Sequence, residues 1–345
     1  MLQHHLEVVR KGATYANKTD FEISSAQDLI DFALLVNGGM PNINAIVTSD
    51  LDFEGYTIVP LGSSELPYCG TFDGQGHTFS HLVINSDKTY TGLFSIIGPN
   101  AHIQNFVFDS TCSIKGGNYT AIVGGSATVS GDVYISGVGN EGSVTGGVNT
   151  GAIFGCNMSN KASVLVDNCY SSGSVVGSKE SGALTGYIGR GHIRNSWSSA
   201  SIEGYYDGPD GNINKPFALC YCETSNNYIV HWDLNPDFDI KEATAEQVAN
   251  GELCYLLNKY SEQQEPIWFQ ALGQDAHPVL DPTHGEVKLA DDGTYYNEGN
   301  HIRLVPFTPA EYESYSPSGV RVSKTQQGIH IIHTRDGKSY KVLVR

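Results

Sequence analysis

Positive charge is scarce in this chain. Its 345 residues carry 20 Lys and Arg against 37 Asp and Glu, a formal net charge of −17. Residues 321–345 hold six of the basic side chains against one Asp, so the remainder stands at about −22. An acidic body repels a phosphate backbone, which argues against nucleic acid as a partner. Long apolar runs are missing too. None approaches the roughly 20 residues that cross a bilayer, so no transmembrane segment is expected. Residues 1–17 lack an apolar h-region and read as no secretion signal. Two settings fit: a cytoplasmic chain, or an exported one whose leader lies outside this sequence. The seven cysteines are an odd number without metal-type spacing and decide no redox compartment. Cys220 and Cys222 sit too close for a zinc knuckle and have no partner pair; they read as small buried apolar thiols.

Chemical signatures are also lacking. There is no Ser-His-Asp order, no HExxH, no phosphate-cradling loop and no CxxC pair.

What is present is a repeat. The phrase Ser-[Ile/Val]-x-Gly occurs at Ser113–Gly116, Ser143–Gly146, Ser174–Gly177 and Ser201–Gly204, with glycine spacings of 30, 31 and 27 residues. A second phrase, small-[Leu/Ile]-x-small, recurs at Gly92–Ser95, Ala121–Gly124, Ala152–Gly155 and Ala183–Gly186. A third, aliphatic-x-Asn, appears at Ile103/Asn105, Val166/Asn168 and Ile193/Asn195, with Val133/Ile135 in the second repeat. A fixed period this long marks stacked coils. Three short alternating runs per repeat read as strands at period two. The fold class is therefore all-β, a right-handed parallel β-helix or solenoid. Ile114, Val144, Val175 and Ile202 should form one inward column and Leu93, Ile122, Ile153 and Leu184 another. Recurring Asn suggests an amide ladder, broken in the second coil, and the glycines mark corners that a Cβ would obstruct.

Five stretches follow: 1–20 as leader or linker, 21–90 as the N-terminal cap and first coils, 91–230 as the repeat coils, 231–285 as a C-terminal cap with a helix, and 286–345 as a small C-terminal β unit. Ser25 and Asp28 open a capping helix over Ala26–Asn37, with Leu29, Phe32, Ala33 and Val36 on its apolar face. Such a helix covers strand edges that would otherwise pair with other chains. Thr244 and Gln247 form a second capping box before a helix over Val248–Asn258. Near the end, Gly319–Val322, Ile329–Ile332 and Tyr340–Val344 alternate as strands, with Asp336-Gly337 as a hairpin turn.

Val36-Asn37-Gly38, Ser49-Asp50-Leu51-Asp52-Phe53, the run Gly70–Thr78 and Gly92-Leu93-Phe94 stand in the order seen in GLUG-motif repeat proteins. The chain resembles that family over about Phe21–Gly208, although Ser95 replaces its usual Gly. Glu265–Gly273 and His277–Leu280 look like the segment that closes such helices. The resemblance implies a right-handed β-helix in a bacterial secreted or cell-surface, adhesin-like setting; similar repeats also occur as non-catalytic modules beside peptidase domains. No ligand is implied.

β-Helices also carry carbohydrate-active enzymes, so acid–base candidates matter. Asp50 and Asp52 lie two apart on one strand, and Asp73 and His77 flank a glycine turn. Paired carboxylates can serve glycoside chemistry and Asp clusters can hold calcium, but Asp at turns commonly bonds backbone amides. The turn at 207–212 lacks EF-hand spacing. For glycan binding the candidates are Tyr119, Tyr170, Tyr187, Trp197, Tyr205 and Tyr206. Tyr170 and Trp197 share the strand parity of the inward aliphatics and so read as core. The expectation is a monomeric, non-catalytic module that needs no cofactor, calcium aside. It would bind a neutral glycan or a surface protein, and a polysaccharide lyase or glycoside hydrolase is the alternative.

Overall fold

The computed structural model describes residues 20–127, 130–159, 161–178, 180–203, 219–220, 222–230, 240–297, 312–323, 328–334 and 339–344. Within them the alternating runs wind as a right-handed parallel β-helix, the sense that parallel crossovers adopt. One 13-stranded sheet runs along a flank, from Asp20–Ile23 to Ile240–Ala243, and two five-stranded sheets close the other sides. In the second sheet Ile84, Ile114, Val144, Val175 and Ile202 stand in direct register. All but Ile202 are buried; Ile202, in the terminal strand of this sheet, is half-buried against the same core. At the entry to the strands of the third, Leu93, Ile122, Ile153 and Leu184 are fully buried. Their coils are joined by bonds such as Leu93 N to Ile122 O at 2.9 Å and Ile153 N to Leu184 O at 2.8 Å.

The coils hold the expected three strands where the flank strand is continuous, as in His102–Phe108 and Gly131–Asn140, and four where its bend at a left-handed residue divides it, as between Ala162–Asp167 and Tyr170–Ser171. Asn105, Gly137, Asn168, Asn195 and Asn226 occupy that bend with φ of 61°, 63°, 55°, 50° and 51°. Register corrects the sequence alignment of the second coil. Ile135 pairs with Ile103 and Val166, so the residue standing with the asparagines is Gly137. Asn and Gly are the residue types that tolerate this conformation, so the backbone corner continues where the amide is missing. The Asn195 amide lies 2.7 Å from both the Asn168 and the Asn226 amides, a ladder over three coils.

A second left-handed column runs through Tyr90, Tyr119, Asn149 and Glu180, at φ of 61°, 61°, 55° and 53°. The following coil meets these corners with glycine for lack of space. A Cβ on Gly125 would lie 2.3 Å from the Tyr90 carbonyl carbon, and one on Gly155 would lie 2.9 Å from that of Tyr119. Gly116 and Gly146 are crowded instead by Thr120 and Thr150 Oγ1, each 2.4 Å from the position a Cβ would take.

At the N-terminal end α1 (Ala26–Asn37) starts at Ser25, whose hydroxyl accepts the Asp28 amide hydrogen at 3.2 Å. Its Phe32 packs on Phe21, Tyr68 and Phe72 at centroid distances of 5.5, 5.9 and 6.1 Å, so the helix lies on the first coil as expected. The second helical stretch is broken in two: α2 (Ala245–Ala249), with the Thr244/Gln247 capping box formed, and α3 (Glu252–Lys259). Gly251 between them has φ 90°, and a Cβ there would meet Leu272 at 2.6 Å and Val287 at 2.9 Å. Cys112, Cys156, Cys169 and Cys254 are buried free thiols. Desolvation pushes Cys112, Cys156 and Cys169 up to about 12, which makes them inert at neutral pH.

The C-terminal unit is a three-stranded antiparallel sheet of Tyr312–Tyr315, Gly328–Thr334 and Ser339–Val344. Its first strand precedes the expected Gly319–Val322, which instead follows a turn and touches the sheet at Arg321. Residues 335–338, which hold the expected Asp336-Gly337 turn, lie outside the described residues, as do residues 1–19.

Candidate functional site

The acid–base candidates separate into backbone-organising pairs. Asp50 Oδ1 accepts the Thr78 amide hydrogen at 2.9 Å and contacts His77 Nδ1 at 3.0 Å. The Thr78 bond holds Asp50 below its ordinary 3.8, with burial opposing and His77 adding to the effect. Asp52 does the same two residues on, taking the Glu54 amide at 3.0 Å and His81 Nδ1 at 2.9 Å. The Glu54 bond leads in lowering Asp52, and the bond to Asp52 in turn raises His81. Asp73 joins neither pair. Its oxygens accept from the Gln75 amide at 2.9 Å, Gln104 Nε2 at 2.9 Å and Asn105 Nδ2 at 3.1 Å. Asp73 and His77 thus flank one bulge but serve different partners. Each carboxylate is occupied in fixing a turn, which is the chemistry of Asp at turns.

Tyr170 and Trp197 are buried, though not in the solenoid interior. They stack at 5.2 Å and 7° and belong with Tyr228, Leu253, Leu257 and Trp268 to a second apolar cluster. The left-handed residue explains the difference. It interrupts the alternation, so Cys169 points inward and Tyr170 outward, where unbroken parity would have placed Tyr170 inside. Trp268 donates its indole hydrogen to the Asn195 carbonyl oxygen at 3.2 Å, and His277 stands 5.4 Å from Tyr170 and 5.2 Å from Trp197. The 263–284 segment is therefore a strap laid along the flank, and it covers these rings instead of closing only the end. Tyr187 is half-buried on the third sheet in register with Cys156. Tyr205, Tyr206 and the 207–212 turn lie outside the described residues.

Between strap and flank runs a groove of about 760 Å³. Amides of Gln75, Asn105, Asn168 and Gln263 line it, together with the carboxylates of Glu141, Asp167 and Asp281. Each carboxylate has a partner: Tyr170 OH donates to Glu141 at 2.8 Å, His192 Nε2 lies 2.9 Å from Asp167, and His284 Nε2 lies 3.6 Å from Asp281. None of the described residues lining the groove is Lys or Arg. Chemically it offers many hydrogen-bond acceptors and donors to a hydroxylated ligand and, among the described residues, no lysine or arginine to an anionic one. Glu141, Gln263 and His284 were absent from the sequence candidates. Only the asparagine phrase signalled this flank, since the strap arrives from some hundred residues away. Among the described residues, no group of three or more His, Cys, Asp or Glu converges as a metal site.

Comparison with known proteins yields a fold and nothing narrower. No protein-family model matches the chain, and no curated protein matches it. Among solved structures, one described as a "putative immunoglobulin A1 protease from Bacteroides ovatus" is similar over 75% of this chain and 91% of its own. The TM-score is 0.50 and the identity 15%, so the likeness is one of fold.

Proposed function

We propose that this chain is a non-catalytic binding module of an exported, surface-associated β-helix protein, and that it holds a neutral glycan in the groove between flank and strap. The carrying observation is the groove lining, amides and partnered carboxylates with no Lys or Arg among the described residues. An anionic polymer such as pectate or heparin would face Glu141, Asp167 and Asp281 in a chain of net charge −17. Like charges brought together cost energy that only salt relieves. A neutral sugar meets no such cost, and its hydroxyls suit the Asn and Gln side chains. The GLUG-like order of segments supports the exported setting.

The test is a glycan-array screen beside an activity assay on neutral and acidic polysaccharides, with and without calcium. Neutral oligosaccharides should bind and emerge unchanged, and Asp167→Ala or Gln263→Ala should weaken binding about tenfold, the equivalent of roughly 1.4 kcal/mol. Preference for acidic polymers would overturn the groove assignment. Released oligosaccharides that vanish in Asp73→Asn or Asp52→Asn, with the fold intact, would make the chain an enzyme.

A further inference from the structure

A second surface carries its own signal, on the corner leading into the third sheet and away from the flank groove. Tyr90 and Tyr119, at equivalent positions of successive coils, stack at 5.2 Å and 17°. Tyr90 is 38% exposed and Tyr119 half-buried. Beside them lies a depression of about 490 Å³, to which Ile96, Ser126, Cys156 and Met158 contribute, with Met158 68% exposed. None of the described residues lining it is Asp, Glu, Lys or Arg, although the chain as a whole has net charge −17.

Two features separate this pair from an ordinary ladder of stacked rings. Both tyrosines sit at φ 61°, a region where a bulky side chain is an outlier and Asn or Gly the comfortable choice. The next residue of the same column is Asn149, also left-handed, and the column becomes charged only at Glu180, which Asn149 Nδ2 contacts at 3.1 Å. The backbone corner therefore does not need tyrosine. Sparsely populated conformations gather at functional sites, so the outlier invites a functional reading.

We propose that Tyr90 and Tyr119 form a docking platform for a neutral glycan, distinct from the flank groove. The absence of charge from the lining selects an uncharged occupant. The aromatic edges and Met158 offer contact to the C–H faces of a sugar, while the tyrosine hydroxyls and Ser126 offer polar contacts at the rim. The platform does not rest on the groove reading, since no residue lines both depressions.

The experiment is hydroxyl-radical footprinting of the full chain with maltoheptaose, cellohexaose, mannohexaose and chitohexaose, alongside calorimetry and thermal melts. At least one oligosaccharide should protect Tyr90, Tyr119 and Met158 together. Tyr119→Asn should weaken that binding at least tenfold while melting at or above the wild-type temperature, and Tyr119→Phe should bind within threefold. Protection confined to the flank groove, protection nowhere, or unchanged binding in Tyr119→Asn would overturn the platform. A drop in melting temperature in Tyr119→Asn with binding intact would make the pair a structural ladder. Protection by an apolar Met- and Leu-rich peptide but by none of the sugars would assign the surface to a protein partner instead.

Discussion

Trp268 and Asn195 are joined by a single hydrogen bond, indole nitrogen to main-chain oxygen at 3.2 Å, and both are buried. Seventy-three residues of chain separate them. The bond places the strap's largest side chain against the left-handed column, beside the stacked Tyr170 and Trp197.

Removing that side chain should loosen the whole flank. Trp268→Ala is expected to destabilise the protein by about 3–5 kcal/mol, the range for a large aromatic lost from a core. Trp268→Phe keeps most of the packing but leaves the Asn195 oxygen without its indole donor, and should cost about 1–3 kcal/mol. Thermal and urea melts check both. A Trp268→Ala variant as stable as the wild type would show that the strap is not held there.

The second coil offers a test of the corner itself. Gly137 has φ 63°, and a Cβ there would meet the Asn105 side-chain oxygen at 2.8 Å, a contact that a side-chain rotation relieves. Gly137→Asn should stay within about 1 kcal/mol of the wild type, whereas Gly137→Val should lose about 2 kcal/mol, because β-branched residues suit the left-handed region least. Equal stability of the two variants would mean that the corner is not conformationally demanding.

Acid should weaken the first coils. Asp50 is held below 3.8, mainly by the Thr78 amide, and for Asp109 the bonds from Ser80 and Thr111 outweigh the upward push of burial. A lowered folded-state pKa means that the unfolded chain takes up the proton first. The stabilisation is therefore complete above 3.8 and is lost as pH falls through the lower folded values. His81 runs the other way. Its pKa is raised above 6.5 by Asp52, so its contribution is complete below 6.5 and is lost as pH rises through the folded value. Asp50 is exposed and Asp109 only half-buried, so each contributes no more than about 1 kcal/mol. Melting temperature should fall below pH 3.8, and Asp109→Asn should flatten part of that fall. An identical acid limb in that variant would count against the assignment.

Deleting residues 1–40 removes α1 together with the strand Asp20–Ile23, whose loss uncovers the edge of Asn44–Val47. The truncated protein is expected to self-associate, because an open strand edge pairs with other chains. Size-exclusion chromatography decides this, and a monomeric, well-folded truncation would refute the capping role of α1.

The inward columns were legible because they depend on local pattern. Period-two alternation and a repeat near thirty residues leave a stacked coil as the way to bury Ile114, Val144 and Val175 together. The limits of α1 were legible for a similar reason, with a serine cap at one end and glycines at the other. Misreading began at the left-handed corner. A residue at φ near 60° turns the chain without leaving a gap in the letters, so counting by twos carries the wrong parity past Asn168 and puts Tyr170 inside. The same count aligned Ile135 with Asn105, and only the hydrogen-bonded register shows that Gly137 is the equivalent residue. The tyrosine corner did leave a trace, Tyr90-Thr91 and Tyr119-Thr120 at matching places in successive coils, which could have brought Tyr90 forward with Tyr119.

By itself the sequence determined the solenoid, its capping helix and its charge, since alternation, capping and composition act over a few residues or over the whole chain at once. Tertiary structure alone decided where the sites are. The strap reaches the flank from about a hundred residues away and creates a groove from Gln263, Asp281 and His284 that no spacing announces. Tyr90 and Tyr119 meet because coil stacking sets their distance, and Tyr90 stays exposed and Tyr119 half-buried because nothing among the described residues covers that corner as the strap covers Tyr170.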